Sequence, residues 1–160
     1  MRRNLGPIVA LVVLCGIAVA QEPTTPSHVL FSPADTKWGE PPPVFEKGMQ
    51  FAVVSGDPGK PGLYVVRAKV PAGYKIAPHW HPTDEHVTVL SGSFALGMGE
   101  TFDKAKMTTL PAGGYALLPA NMRHFAMATT EATIQVHGEG PFTLIYVNPA
   151  DDPSKRTKPN

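Results

Sequence analysis

The sequence predicts an all-β fold, on three observations. The 15 glycines and 18 prolines occupy 33 of 160 positions, about 21% against an average near 12%, and both residues interrupt helices while serving tight turns. Short runs of strand-forming residues recur, each bounded by turn chemistry. Helical periodicity is confined to a single turn at 103–107.

The first run, 50–55, stops at Gly56-Asp57-Pro58-Gly59, a sequence suited to a sharp reversal. The second, 63–70, sets Tyr64, Val66, Ala68 and Val70 on one face and Arg67 and Lys69 on the other, then ends at Pro71-Ala72-Gly73. That alternation predicts a half-buried strand with a solvated basic pair. Runs 85–91 and 93–98 flank Ser91-Gly92-Ser93, and in the latter Phe94, Leu96 and Met98 form an apolar face. After Pro111-Ala112-Gly113-Gly114 come 115–118 and 124–128, the second carrying Phe125 and Met127 beside His124. Run 132–137 alternates Ile134 and Val136 with Gln135 and His137, and 142–147 closes the series. Eight short strands suit a sandwich or barrel.

One domain accounts for the length. Residues 1–20 read as a secretory signal peptide: Arg2 and Arg3 precede an apolar run at 8–19 that ends in Ala18-Val19-Ala20. A polar, proline-bearing leader follows, so that 21–48 form a leader and edge segment, 49–150 a barrel, and 151–160 a charged tail expected to be disordered. The expected compartment is outside the cytoplasm, periplasmic or secreted. Cleavage would remove Cys15, the only cysteine, and leave 12 Lys and Arg against 13 Asp and Glu. Cysteine chemistry is thereby excluded, and no basic footprint for nucleic acid or an anionic membrane remains.

The chemistry concentrates between Gly73 and His86. In an extended strand His79 and His81 point to one face with backbones about 6.6 Å apart, close enough for two imidazoles to converge on one ion. Glu85 keeps the same parity, so a chain that turns at Pro82-Thr83 can return its carboxylate to that face. His86 has the opposite parity and is expected to face outward, although a bulge at Asp84 would exchange the roles of Glu85 and His86.

Gly73, five residues, His79-x-His81, three residues, Glu85, six residues and Gly92 match the first motif of the cupin superfamily at every position. Gly113, five residues, Pro119-Ala120-Asn121, two residues and His124 match its second motif, with Asn121 in place of glycine and Ala128 in place of the closing asparagine. Asparagine tolerates the left-handed turn conformation, and the closing asparagine is not a ligand. The resemblance runs from about Met49 to Asp152, and the wider wording, with Gly-Asp-Pro before the first motif, HWHPTDEHVTVLSGSFALGMGE through it and GPFTLIYVNPADDP at the end, is similar to exported single-domain bacterial cupins of unassigned activity.

The resemblance implies an antiparallel jelly-roll barrel, or double-stranded β-helix, with an ion held by His79, His81, Glu85 and His124. Three imidazoles and a carboxylate suit Mn, Fe, Co, Ni, Cu or Zn and leave coordination positions open, and the lack of thiolates argues against a closed structural zinc site. Gln135, His137 and His86 are candidates to orient a ligand or touch a substrate if their face looks inward. The expected partner is a small organic molecule, mostly apolar if Phe94, Leu96, Phe125, Met127 and Trp80 reach the cavity mouth. Oxygenase, isomerase and lyase chemistry all remain open, beside a non-catalytic metal or ligand binding module and a barrel merely stabilised by its ion. Edge strands make a homodimer an expected assembly.

Overall fold

A computed structural model describes residues 28–156. The expected signal peptide, Cys15 and the last four residues lie outside them. Ten strands form, in chain order β1 Gln50–Ser55, β2 Gly62–Val70, β3 Lys75–Trp80, β4 Glu85–Ser91, β5 Ser93–Met98, β6 Met107–Pro111, β7 Tyr115–Leu118, β8 His124–Ala128, β9 Ala132–Gly140 and β10 Ile145–Tyr146. They make two five-stranded sheets, ordered β1-β2-β9-β4-β7 and β10-β3-β8-β5-β6, and every pairing within them is antiparallel. No helix among the described residues is long and apolar enough to cross a membrane.

The alternation of β2 and β9 builds the first sheet. Tyr64, Val66, Ala68, Ile134 and Val136 turn inward onto the core, while Arg67 and Gln135, directly paired across the strands, meet outside through an Arg67 Nε donation to Gln135 Oε1 at 3.1 Å. Lys69 reaches Glu131 at 3.8 Å. The basic pair thus lies on the outer face, as its parity predicts, but half-buried, with Arg67 also over the Phe31 ring at 5.0 Å. The facing sheet contributes Phe94 and Leu96 from β5 and Ala126 from β8 to the same core.

Two strands and two ends differ from the sequence reading. The eight runs omit β3 as an element of its own, because Pro78 interrupts it and its register shifts between Ile76 and His79. They also omit β6, whose Thr108 and Thr109 are exposed, so that no alternation marks it; the helical turn expected at 103–107 forms as a 3-10 turn at Lys104–Lys106. The closing run shrinks to Ile145–Tyr146 while β9 extends to Gly140. Residues 151–156 are not disordered: 3-10 turns at Pro149–Asp151 and Pro153–Lys155 are capped by Asn148 and Asp152, and Arg156 pairs with Glu46. Composition alone misses such local capping, which satisfies backbone donors without a core.

On β5, Gly97 lies opposite Phe125 of β8, whose ring covers it. A Cβ there would stand 2.3 Å from Phe125 Cε2, and Phe125 is itself fully buried against Phe102 at 5.1 Å between centroids. Gly97→Ala is therefore expected to cost about 1–3 kcal/mol through overpacking, measured by urea denaturation; an unchanged midpoint would show that the ring yields freely.

Candidate metal centre

Two strands and a loop deliver the imidazoles. The register shift in β3 reverses its alternation, so that Ile76 and His79, three residues apart, both line the interior. His79 is then directly paired with His124, the first residue of β8. His81 follows β3 with the parity of His79, and Glu85 opens β4 with the inward parity shared by Val87 and Val89. Asn121 has φ 65°, the only non-glycine positive φ among the described residues, and its backbone N donates to His81 O at 2.7 Å. The turn glycine of the motif is thus replaced by a residue that adopts the same conformation.

The side chains of His79, His81 and His124 each offer a ring nitrogen within 4.8 Å of the others. All three are buried, and Glu85 Oε2 stands 3.5 Å from His81 Nε2 and 3.4 Å from His124 Nε2. Each Nδ1 faces a backbone carbonyl: His79 with Ala77 O at 2.7 Å, His81 with Thr143 O at 2.8 Å, His124 with Met122 O at 2.9 Å. A carbonyl can only accept, so each Nδ1 carries the proton and donates it, and in the neutral ring Nε2 holds a lone pair. The Nε2 atoms of His81 and His124 are buried with no hydrogen-bond partner.

Lone pairs and a carboxylate thus face one another at short range. Only positive charge, as a metal ion or as protons, offsets such an array. Burial, together with neighbouring His124 and His81, lowers the His79 pKa to about 3, and burial lowers that of His81. Burial pushes the Glu85 carboxyl up, but His81, His124 and His79, once protonated in acid, outweigh it and hold it at about 2. The donor set fits a divalent transition-metal ion: three imidazoles, orientation fixed by carbonyls, one anionic oxygen.

These shifts have one sign. Histidine titrates near 6.5 and glutamate near 4.5 outside the fold, so between those values and the folded ones the unfolded chain binds more protons. The stability these groups contribute is complete above about pH 6.5 and declines as pH falls toward about 3 and then 2. Denaturation of metal-free protein at stepped pH should show this decline beginning near 6.5, and a flat profile between pH 7 and 4 would contradict the burial of neutral His79.

The surrounding cavity measures about 50 Å³ and is walled by apolar side chains, among them Phe94, Leu96, Ile134, Val136 and Phe142. That is room for a few waters or a comparably small ligand beside an ion. Tyr64 also lines it. Burial and the charge of Glu85 both raise its phenol pKa, leaving it a neutral hydroxyl in an otherwise greasy wall. The sequence alone places Tyr64 only on an apolar face; its parity with Val66 and Ala68 is the signal that it turns inward.

The remaining candidates lie elsewhere. Gln135 and His137 alternate with cavity-lining Ile134 and Val136 and so occupy the outer face, as does His86 beside Glu85. None reaches the cavity, for the same period-two reason that brings Glu85 into it. His86 Nδ1 instead meets Tyr115 Oη at 2.6 Å, and its ring stacks on His137 at 4.6 Å and 9°. Phe125 packs on the outside of β8, Trp80 lies under Arg123 at 5.5 Å, and Met98 is half exposed.

Comparison with known proteins agrees with this architecture. The polyketide cyclase RemF from Streptomyces resistomycificus shares 17% identity with a TM-score of 0.65, over 81% of this chain and 92% of that one. A candidate acetylacetone dioxygenase from Methylibium petroleiphilum PM1 shares 20% with a TM-score of 0.63, over 83% and 90%. An RmlC-like cupin from Ralstonia eutropha JMP134 shares 20% with a TM-score of 0.61, over 79% and 76%. At these identities the likeness concerns the fold. No curated protein matches the sequence. The family model of the ChrR cupin-like domain matches residues 26–143, most of the chain, and the protein belongs to that cupin family.

Proposed function

We propose that this cupin is a metal-dependent enzyme acting on a small, mostly apolar organic molecule, with His79, His81, His124 and Glu85 as the ligands of one divalent transition-metal ion. The observation that carries the reading is the pair of buried, partnerless Nε2 atoms on His81 and His124, facing Glu85. Bound there, the ion would supply Lewis acidity or redox chemistry at its open positions. The chain's own residues do the rest. The carbonyls of Ala77, Thr143 and Met122 hold the imidazoles in one tautomer. The apolar wall limits water, and Tyr64, neutral because burial and Glu85 push its phenol pKa up, brings a hydrogen-bonding hydroxyl to that wall. RemF, a cyclase, and the candidate dioxygenase are small-molecule enzymes on the same fold, which supports the substrate class and leaves the reaction type to experiment. Export to the periplasm or beyond, argued from Arg2, Arg3 and the apolar run after them, belongs to the same proposal.

Elemental analysis of the full chain purified without chelator, beside His79→Ala, tests the metal assignment. Close to one equivalent in the wild type and none retained at this centre in the variant is expected; no metal in either overturns it. Azide added to cobalt-substituted protein then tests whether the centre is open. A spectral change indicates exchangeable positions, whereas an unaltered spectrum points to a closed, structural ion and against catalysis.

A further inference from the structure

We infer that the outer face of the first sheet carries a second, shallower site for a borderline divalent transition-metal ion, held by the imidazoles of His86 and His137. The two residues are directly opposed in the β4–β9 ladder. Such cross-strand pairs bring Cβ atoms to about 5 Å, and here the half-buried rings lie at 4.6 Å and 9°. Tyr115 Oη, 2.6 Å from His86 Nδ1, can accept the Nδ1 proton and leave Nε2 as a free donor to metal. Coordination requires the rings, stacked in the unbound protein, to rotate about their side-chain bonds until one nitrogen of each meets the ion.

The setting favours a cation. The groove beside the pair is lined by Asp84 and Glu139 as well, and by no lysine or arginine. Asp84 is partly engaged, accepting from Ala120 N at 2.8 Å, and the carboxylates do not converge with the rings into a compact ligand cluster. Their contribution is a negative field around two nitrogen ligands, with water completing the shell. Imidazole ligands and exposed geometry suit Cu(II), Ni(II) or Zn(II) over Mg or Ca. The assignment is independent of the inner centre, of whose candidate ligands only Glu85 lies on β4, with the opposite parity to His86.

Copper(II) titrated into metal-free full chain tests it, followed by calorimetry and electron paramagnetic resonance. Wild type should take one tight equivalent and one weaker, nitrogen-coordinated equivalent. His137→Asn should weaken the second equivalent by about tenfold or more, the range over which ligand-shell changes act, and leave the tight one unchanged. His86→Ala should do the same while the inner ion is retained, and Tyr115→Phe should keep nitrogen coordination. In a His79→Ala, His124→Ala background the outer equivalent should persist until His137→Asn is added. Copper uptake in which no equivalent responds to His137→Asn overturns the inference, whereas a single equivalent that is lost in His137→Asn upholds it and counts against the inner centre instead. That last arm does not depend on the inner-site variants folding.

Discussion

His124→Ala is expected to empty the central site. The substitution removes one of two buried Nε2 atoms that lack any protein partner and leaves the Glu85 carboxylate, 3.4 Å away, facing a void. With two imidazoles left, affinity should fall by several orders of magnitude, since each ligand of a preformed site contributes kilocalories of binding free energy. The variant also opens a cavity beside a buried anion, so metal-free variant and metal-free wild type should be compared for stability. Elemental analysis reads the first effect and thermal melting with and without chelator the second. Chelator should lower the melting temperature of wild type and leave the variant's where it is, because only a folded protein that binds an ion is stabilised by it. A variant that retains a full equivalent at this centre would remove His124 from the ligand set.

Gly92→Ala is expected to cost about 3 kcal/mol or more, the scale of a left-handed backbone combined with a steric clash. Gly92 joins β4 to β5 at φ +72°, and a Cβ there would fall 2.0 Å from Glu131 O and 2.8 Å from Ala132 Cα. Both are backbone atoms of the turn into β9, so neither a rotamer change nor a side-chain shift relieves the contact. One of two turns must move, and both lead into strands that form the inner wall. Urea denaturation of metal-free protein measures the loss. A variant of wild-type stability would show that the two turns can separate at little cost.

Three of the four candidate donors, His79, His81 and Glu85, are legible through short-range parity, and His124 only through the resemblance of its spacing to the second cupin motif. His79 and His81 are two apart, Glu85 keeps their phase, and His124 stands at a fixed spacing from Gly113 and Pro119. What those rules do not reach is long-range register. The opposition of His86 and His137, and of Arg67 and Gln135, is decided by how distant strands align. The apolar partners Ile134 and Val136 do report which face of β9 becomes the interior, but not which residues of other strands stand beside Gln135 and His137 on the outer one. The phase change in β3 is hidden for a related reason: the register shift between Ile76 and His79 appears only when β8 is beside them. The terminal turns at 149–155 form through Asn148 and Asp152 caps, a local chemistry that a count of charged residues obscures.

The carbonyl that orients His81 belongs to Thr143, in the segment between β9 and β10. Its neighbour Phe142 packs on the His81 ring at 5.2 Å, on Tyr64 at 5.9 Å and on Phe45 at 6.3 Å, and it lines the cavity. One short loop therefore serves as plug and as tether. A displacement of this loop large enough to widen the small chamber would also give up the carbonyl that holds the His81 ring, so the size of what the chamber admits and the orientation of that imidazole are linked quantities.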